Sequence, residues 1–178
     1  MLSKRFKKAI IICGRICSGK TYTADLISKK NAYPIASFGG YLKSYSEKNF
    51  LPIGRKALQD LGEEFIKTKP EHFLNEVIDY SIGNSDSIII EGVRHISIFQ
   101  LIKDLAETTI SIFIEADIQT RYDRYCSRIN NSDDFKTFEQ FIMLDKHSVE
   151  KEIQSLKPLC DITLNSTEPF NENLFALF

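Results

Sequence analysis

The chain has 178 residues, 43% of them hydrophobic and 26% charged, which suits one folded domain with a full core and leaves no room for two ordinary ones. Its formal net charge of −1 supplies no global pull toward nucleic acid or an anionic membrane, and no apolar run approaches the roughly 18 residues that span a bilayer.

The first apolar run, Ala9–Cys13, reads as a strand. Lys4, Arg5, Lys7 and Lys8 in front of it look superficially like the start of a signal peptide. The run stops at Gly14, well short of the roughly 7–15 apolar residues of a secretory core, so a cytoplasmic protein is expected. Gly14-Arg15-Ile16-Cys17-Ser18-Gly19-Lys20-Thr21 follows, and a helical pattern runs on from about Lys20 to Lys29. This is G-x-x-x-x-G-K-T between a strand and a helix, the context a phosphate-binding loop requires. Glycines at Gly14 and Gly19 let the backbone fold tightly. The N–H groups from Ile16 through Cys17 and Ser18 to Thr21 would then converge on phosphates at a helix N-terminus. Lys20 would reach the β- and γ-phosphates of ATP, and the Thr21 hydroxyl would ligate Mg²⁺.

Tyr33–Ala36 is a second, short strand, which Pro34 assigns to a sheet edge. Helical patterns over 39–50, over 55–67 and from Pro70 to near Gly83 form an insert of about 38–82. It carries Lys43, Arg55 and Gln59 as candidate acceptor-binding residues, the last two one helical turn apart. Phe38, Tyr41, Tyr45 and Phe65 could stack on a base, but aromatics at such spacing are more often core.

Ser87–Glu91 is a strand apolar on both faces, as in a covered parallel sheet. It delivers Glu91-Gly92-Val93-Arg94 to the crevice at the strand ends, with Glu91 placed to orient Mg²⁺ and Arg94 to meet an anion. Ile98–Ala106 reads as helix and Thr109–Ile114 as strand. Asp117 caps a helix through Arg128, on which Arg121, Arg124 and Arg128 are spaced three and four apart. Three cations so placed call for an anion between them, and a triphosphate is a natural partner; the alternative is a solvated basic face partly neutralised by Asp117 and Asp123. The polar turn Asn130–Asp134 reads as the tip of a lid spanning about 117–147. A helix begins at Phe138, and Val149, Ile153 and Leu156 continue a helical pattern. Asp161–Asn165 is a fifth strand, and Phe170–Phe178 a closing helix. Five strands alternating with helices predict an α/β fold. The expected form is a three-layer P-loop NTPase domain, a five-stranded parallel sheet with helices on both faces. Cys13 and Cys17 have a spacing that could suit zinc, but Cys17 lies inside the phosphate loop and no second Cys/His pair has ligand spacing, so Cys13, Cys17, Cys126 and Cys160 read as structural thiols.

The phosphate loop, Phe38-Gly39-Gly40-Tyr41-Leu42-Lys43, Gly54–Gly62 and Glu91-Gly92-Val93-Arg94-His95 resemble nucleoside and deoxynucleoside monophosphate kinases, most of all those of phages and bacteria. The later segment is similar to relatives of adenylate kinase and dephospho-CoA kinase, through the lid arginines, Phe138-Glu139-Gln140-Phe141 with Asp145, and Cys160–Asn165. The resemblance implies ATP:monophosphate phosphotransfer with Mg²⁺. It assigns Arg94 to the acceptor phosphate, Arg121 and Arg124 to catalysis from the lid, and Asn165 to the adenine side. Glu91 stands where the family commonly has Asp. Ser37-Phe38-Gly39 lacks the Asp that dephospho-CoA kinases usually carry after strand 2.

The expected function is therefore transfer of the ATP γ-phosphoryl group to a nucleoside or deoxynucleoside monophosphate, by a monomer or homodimer. Its rivals are a kinase of another small acceptor or of a 5′-hydroxyl, and a regulatory nucleotide-binding ATPase. A GTP switch is disfavoured because no N-K-x-D motif occurs.

Overall fold

The computed structural model describes residues 5–81, 85–127, 137–147, 150 and 152–169. Arg128, the turn 130–134 and the closing helix 170–178 lie outside the described residues.

Five strands form one parallel sheet: β1 (Phe6–Gly14), β2 (Ile35–Ser37), β3 (Ser87–Val93), β4 (Ala106–Glu115) and β5 (Ile162–Asn165). Their spatial order is β2-β3-β1-β4-β5, so β2 is an edge strand, as Pro34 requires. The strand carrying the phosphate loop lies at the centre. Alternate residues of β1 serve the two faces, and both are buried. Ile10 and Ile12 pack with Ala24 and Ile27 of α1 (Lys20–Asn31), together with Ile89, Ile112 and Ile114. Ala9, Ile11 and Cys13 face the larger core, built on α4 (Pro70–Ser81) and α5 (Ile96–Leu105). Burial on both faces explains why β1 and β3 read as unbroken apolar runs.

The β1–β3 register slips between Ile12, which pairs with Glu91, and Cys13, which pairs with Val93. The extra residue is Gly92, with φ 87°. Such a bulge bends the strand end and re-aims the residues around it, here Glu91 and Arg94. The segment between β2 and β3 folds as α2 (Phe38–Lys48), α3 (Arg55–Thr68) and α4. Its predicted aromatics are largely core. Phe38, Tyr41 and Phe65 are buried, and Phe38, Tyr41 and Phe65 each meet Phe73 with ring centroids 5.1–5.8 Å apart.

After β4, Asp117 caps α6 (Ile118–Cys126), accepting from the Thr120 N–H at 2.9 Å. A Thr137–Gln140 capping box starts α7 (Phe138–Asp145). The apolar pattern at Ile153 and Leu156 becomes a short helix, α8 (Ile153–Leu156), leading through a 3₁₀ turn toward β5. Ile16 and Cys17 of the loop pack against Tyr125 of α6 and Phe141 of α7. The two helices after β4 are thereby seated on the phosphate loop. No helix among the described residues is long and apolar enough to cross a membrane.

Candidate active site

The loop between β1 and α1 is built on backbone that needs its glycines. Gly14 has φ 141°, and a Cβ there would stand 2.3 Å from the Ile114 carbonyl oxygen. Gly19, φ 105°, is the N-cap of α1, where no side chain caps the helix. A Cβ on it would lie 3.2 Å from Ser166 Cβ. The first N–H groups of α1 thus start a helix without a side-chain acceptor, the arrangement that receives an anion. Ser18 Oγ is fully buried and has no partner among the described residues. Lys20 is buried, its Nζ donating to the carbonyls of Gly14 at 2.8 Å and Arg15 at 2.7 Å. Burial lowers its pKa to about 8, and the charge of Arg94 acts in the same direction, against Glu150 and Glu91. An orphaned hydroxyl, uncapped helix donors and a buried cation together fit a polyphosphate.

Lys20 and Thr21 open onto a cavity of about 890 Å³ that runs from the loop into the helical insert. Glu91 lies in its wall, buried, accepting a 2.5 Å hydrogen bond from Ser37 Oγ. Ser37 also caps α2 by accepting from the Gly40 N–H at 3.1 Å. The described residues hold no cluster of three or more side chains able to form a closed metal cage. Mg²⁺ does not need one, because it is usually held by one or two protein groups together with substrate phosphates. Thr21 and Glu91 on the same cavity fit that demand.

Lys43, Arg55, Gln59 and Arg94 all line the part of the cavity formed by the insert. Lys43 is exposed, with Glu47 4.0 Å away. The apolar wall is supplied by Leu42, Leu58, Ile66, Phe73 and Ile98. Arg94 Nη1 donates to Glu150, a carboxylate with no solvent exposure. Glu150 also accepts from the Ile16 N–H at 3.3 Å and from Gln59 Nε2 at 3.4 Å. One buried anion therefore joins the loop, the arginine after β3 and α3.

The arginine helix departs from expectation. Arg121 does not face the cavity. It is only 4% exposed, with Nη1 and Nη2 donating to Asp145 at 2.5 and 3.0 Å and Nε to the Ala116 carbonyl at 3.2 Å. The anion it requires is this carboxylate, which also receives Arg15 Nη1 at 2.8 Å. Asp145 is held below its ordinary pKa. Burial alone would raise it, and the two guanidinium groups outweigh burial. A three-residue step falls about 60° short of a full helical turn, so Arg124 diverges from Arg121 and lies over the loop. Its Nη1 reaches the Ser18 carbonyl at 3.2 Å and Ser166 Oγ at 2.8 Å, and Nη2 reaches the Ser166 carbonyl at 3.0 Å.

Asn165 ends β5 as expected. Its side chain is exposed and turned into its own loop, where Oδ1 accepts from Thr167 N–H at 3.1 Å and Nδ2 donates to Glu168 at 3.3 Å. The neighbouring Ser166 lines the cavity instead. Cys17 is buried at the loop with φ 59° and lines the cavity. Glu150, Ser166, Ser37 and His95 are site residues that sequence reading did not select. His95 lines the cavity with Nδ1 2.7 Å from Glu152 Oε2, and its Nε2 is buried without a partner among the described residues.

A family model described as an AAA domain matches residues 10–151. The chain is 29% identical over 162 residues to a UPF0200 protein of Methanococcus maripaludis, covering 86% of this chain and 85% of that one. In fold it is similar to a presumed kinase from Chloroflexus aurantiacus, with a TM-score of 0.64, 16% identity, and 97% and 96% of the two chains covered. It is also similar to shikimate kinase from Acinetobacter baumannii in complex with shikimate, with a TM-score of 0.56, 12% identity, and 97% and 90% covered.

Proposed function

This chain belongs to the AAA domain family, and we propose that it is an ATP- and Mg²⁺-dependent phosphotransferase whose acceptor is a nucleoside or deoxynucleoside monophosphate. The observation that carries this reading is a single cavity with two polar ends. Lys20, Thr21, Glu91 and Arg124 stand at the loop end, and Lys43, Arg55 and Arg94 stand around an apolar wall in the insert. A γ-phosphate and an acceptor phosphate would meet between them. Such transfer needs little covalent chemistry from the protein. Lys20 and Arg94 stabilise charge, the loop orients the donor, and the insert orients the acceptor and excludes water. No general base is required, because the acceptor is already an anion. Residues of about 38–82 serve as the acceptor-binding part of one kinase domain, and the helices within 117–147 as its cover.

A second reading has its own observation. His95 lines the cavity, its Nδ1 held by Glu152, and its buried Nε2 has no partner among the described residues. A hydroxyl acceptor needs a base of this kind, and shikimate kinase is among the fold neighbours. An ADP-release assay with ATP and Mg²⁺ separates the readings. The panel is the nucleoside and deoxynucleoside monophosphates together with shikimate. Acceptor-dependent release with a monophosphate supports the first reading, and release with shikimate alone supports the second. Release independent of any acceptor would leave an ATPase.

A further inference from the structure

Two of the four cysteines meet. Cys13 lies on β1, one residue before Gly14, and has no solvent exposure. Cys160 follows the 3₁₀ turn Lys157–Leu159 and is partly exposed. Far apart in sequence, they belong to one core, and their thiols hydrogen-bond to each other. The sheet explains the meeting. Cys13 pairs with Phe113 of β4, and Ser111, two residues back on the same face of β4, anchors the chain next to Cys160. Asp161 accepts from the Ser111 N–H at 2.8 Å and from its hydroxyl at 2.6 Å, and donates its own N–H to that hydroxyl at 3.0 Å. The two sulfurs differ in character. Donation to Cys160, helped by burial, pushes the Cys13 thiol well above the ordinary cysteine range. Cys160 receives that hydrogen bond and is held below the range, with Ser111 and Lys103 acting the same way against burial and Asp161. Cys160 is therefore the sulfur that ionises and that solvent reaches, and Cys13 the one kept protonated behind it. Neither lines the cavity of the candidate active site.

We propose that Cys13 and Cys160 form a reversible disulfide, Cys160 attacking and Cys13 resolving, and that closing this bond loosens the hold of the phosphate loop on its nucleotide. This goes beyond the phosphotransferase reading and rests on it for the nucleotide alone. The oxidant is a peroxide. The Cys160 thiolate attacks hydrogen peroxide, an S–O bond forms, the O–O bond breaks, and hydroxide leaves and takes up a proton as water. Cys13 then gives up its proton and attacks the Cys160 sulfur. The S–S bond forms, the S–O bond breaks, and the second oxygen leaves as water. Two thiols and one peroxide thus give one disulfide and two waters, and a dithiol returns the two electrons and two protons. The consequence for the loop is geometric. A hydrogen-bonded sulfur pair must close to about 2.05 Å to bond. Gly14, the next residue, has no slack to absorb this movement, since a Cβ on it would stand 2.3 Å from the Ile114 carbonyl oxygen. Its own carbonyl takes Lys20 Nζ at 2.8 Å, so the displacement enters the part of the loop that receives phosphate.

The test uses the intact chain. After treatment with hydrogen peroxide and alkylation under denaturing conditions, two of the four cysteines should be protected. Peptide mass spectrometry should find Cys13 joined to Cys160, and dithiothreitol should release them. Cys13→Ala should stop the reaction at a Cys160 sulfenic acid, which dimedone traps. Cys160→Ser should leave Cys13 reduced and untrapped. By calorimetry, the oxidised wild-type protein should bind ATP with a Kd at least about fivefold weaker than the reduced protein. Dithiothreitol should restore it, and the same peroxide treatment should leave the Kd of Cys160→Ser unchanged. Should Cys13→Ala not fold, the wild-type peptide map and Cys160→Ser decide. A link through Cys17 or Cys126, dimedone on Cys13 in place of Cys160, or a disulfide form whose Kd matches the reduced one overturns the proposal and leaves the kinase reading intact. Absence of ATP binding by the reduced protein overturns that reading and the coupling to the loop with it.

Discussion

Asp145→Asn isolates the part of the arginine helix that the structure reassigns. The carboxylate is 5% exposed and receives three N–H groups, two from a 4%-exposed Arg121 and one from Arg15. Arg121 cannot relieve the loss by deprotonating. Removing one partner of a buried pair costs about 3–5 kcal/mol. The amide retains one acceptor oxygen, and the Arg15 side chain is 33% exposed, so its contact adds little. The lower end, about 3 kcal/mol, is expected, or a fall in Tm of about 6–12 °C for a chain of this size. Urea and thermal unfolding measure it. The double variant Arg121→Met, Asp145→Leu should return to within about 1 kcal/mol of the parent, because apolar replacement of a buried pair is often neutral. The lowered pKa of Asp145 fixes the pH sign. Its contribution is fully present above the ordinary carboxylate value of 3.8 and is lost as pH falls through the lowered folded value. The acid limb should accordingly flatten in Asp145→Asn. A stability loss under about 1 kcal/mol, or a kcat in the double variant reduced a hundredfold with folding intact, would refute a structural role for Arg121 and restore it to the chemistry.

Lys20 should make nucleotide affinity pH-dependent. Above about 8 it loses its proton, so the Kd for ATP should rise by up to about tenfold per pH unit, and calorimetry between pH 7 and 9.5 would reveal it. The same depressed value means that Lys20 costs stability below about 8, with relief as pH rises toward its ordinary 10.5. Arg124→Ala, which strips the contact to the Ser18 carbonyl and Ser166, should lower kcat more than it raises acceptor KM. The opposite split would place it on the acceptor side. Ser37→Ala frees the Glu91 carboxylate and uncaps α2. About 1 kcal/mol of stability should go, and the Mg²⁺ concentration for half-maximal activity should rise while Ser37→Thr retains most of both. Gly14→Ala should cost more than about 2 kcal/mol, because its Cβ would stand 2.3 Å from a carbonyl oxygen in a strand that cannot move aside.

The fold was legible because its centre is written locally. Ala9–Cys13 and Ser87–Glu91 are apolar without alternation, which already says covered on both sides, and the loop glycines fall where the backbone turns left-handed. A place on the cavity was legible where a residue follows a strand end or the loop motif, as with Lys20, Glu91 and Arg94. It was not legible where a partner lies far along the chain. Arg15 and Asp145 are 130 residues apart and Ile16 and Glu150 134 apart, and no local pattern couples them. Spacing alone grouped Arg121 with Arg124, although their directions differ and a carboxylate elsewhere captures one of them. A weak signal for Glu150 did exist. It stands three residues before Ile153, on the apolar side of a helical pattern, where a carboxylate is anomalous unless it is paired.

The central position of β1 has an evolutionary consequence. Among the described residues, those proposed to choose an acceptor hang from β2 and β3 on one flank, and α6 and α7, which pack on the loop, follow β4 on the other. A lineage can therefore recut one flank for a new substrate while the other, and the phosphate loop between them, keeps its sequence. Glu150 limits this freedom. It comes from the cover's flank and grips Arg94 and Gln59 on the other, so insertions or swaps in the acceptor flank should succeed only when they bring a partner for that buried charge.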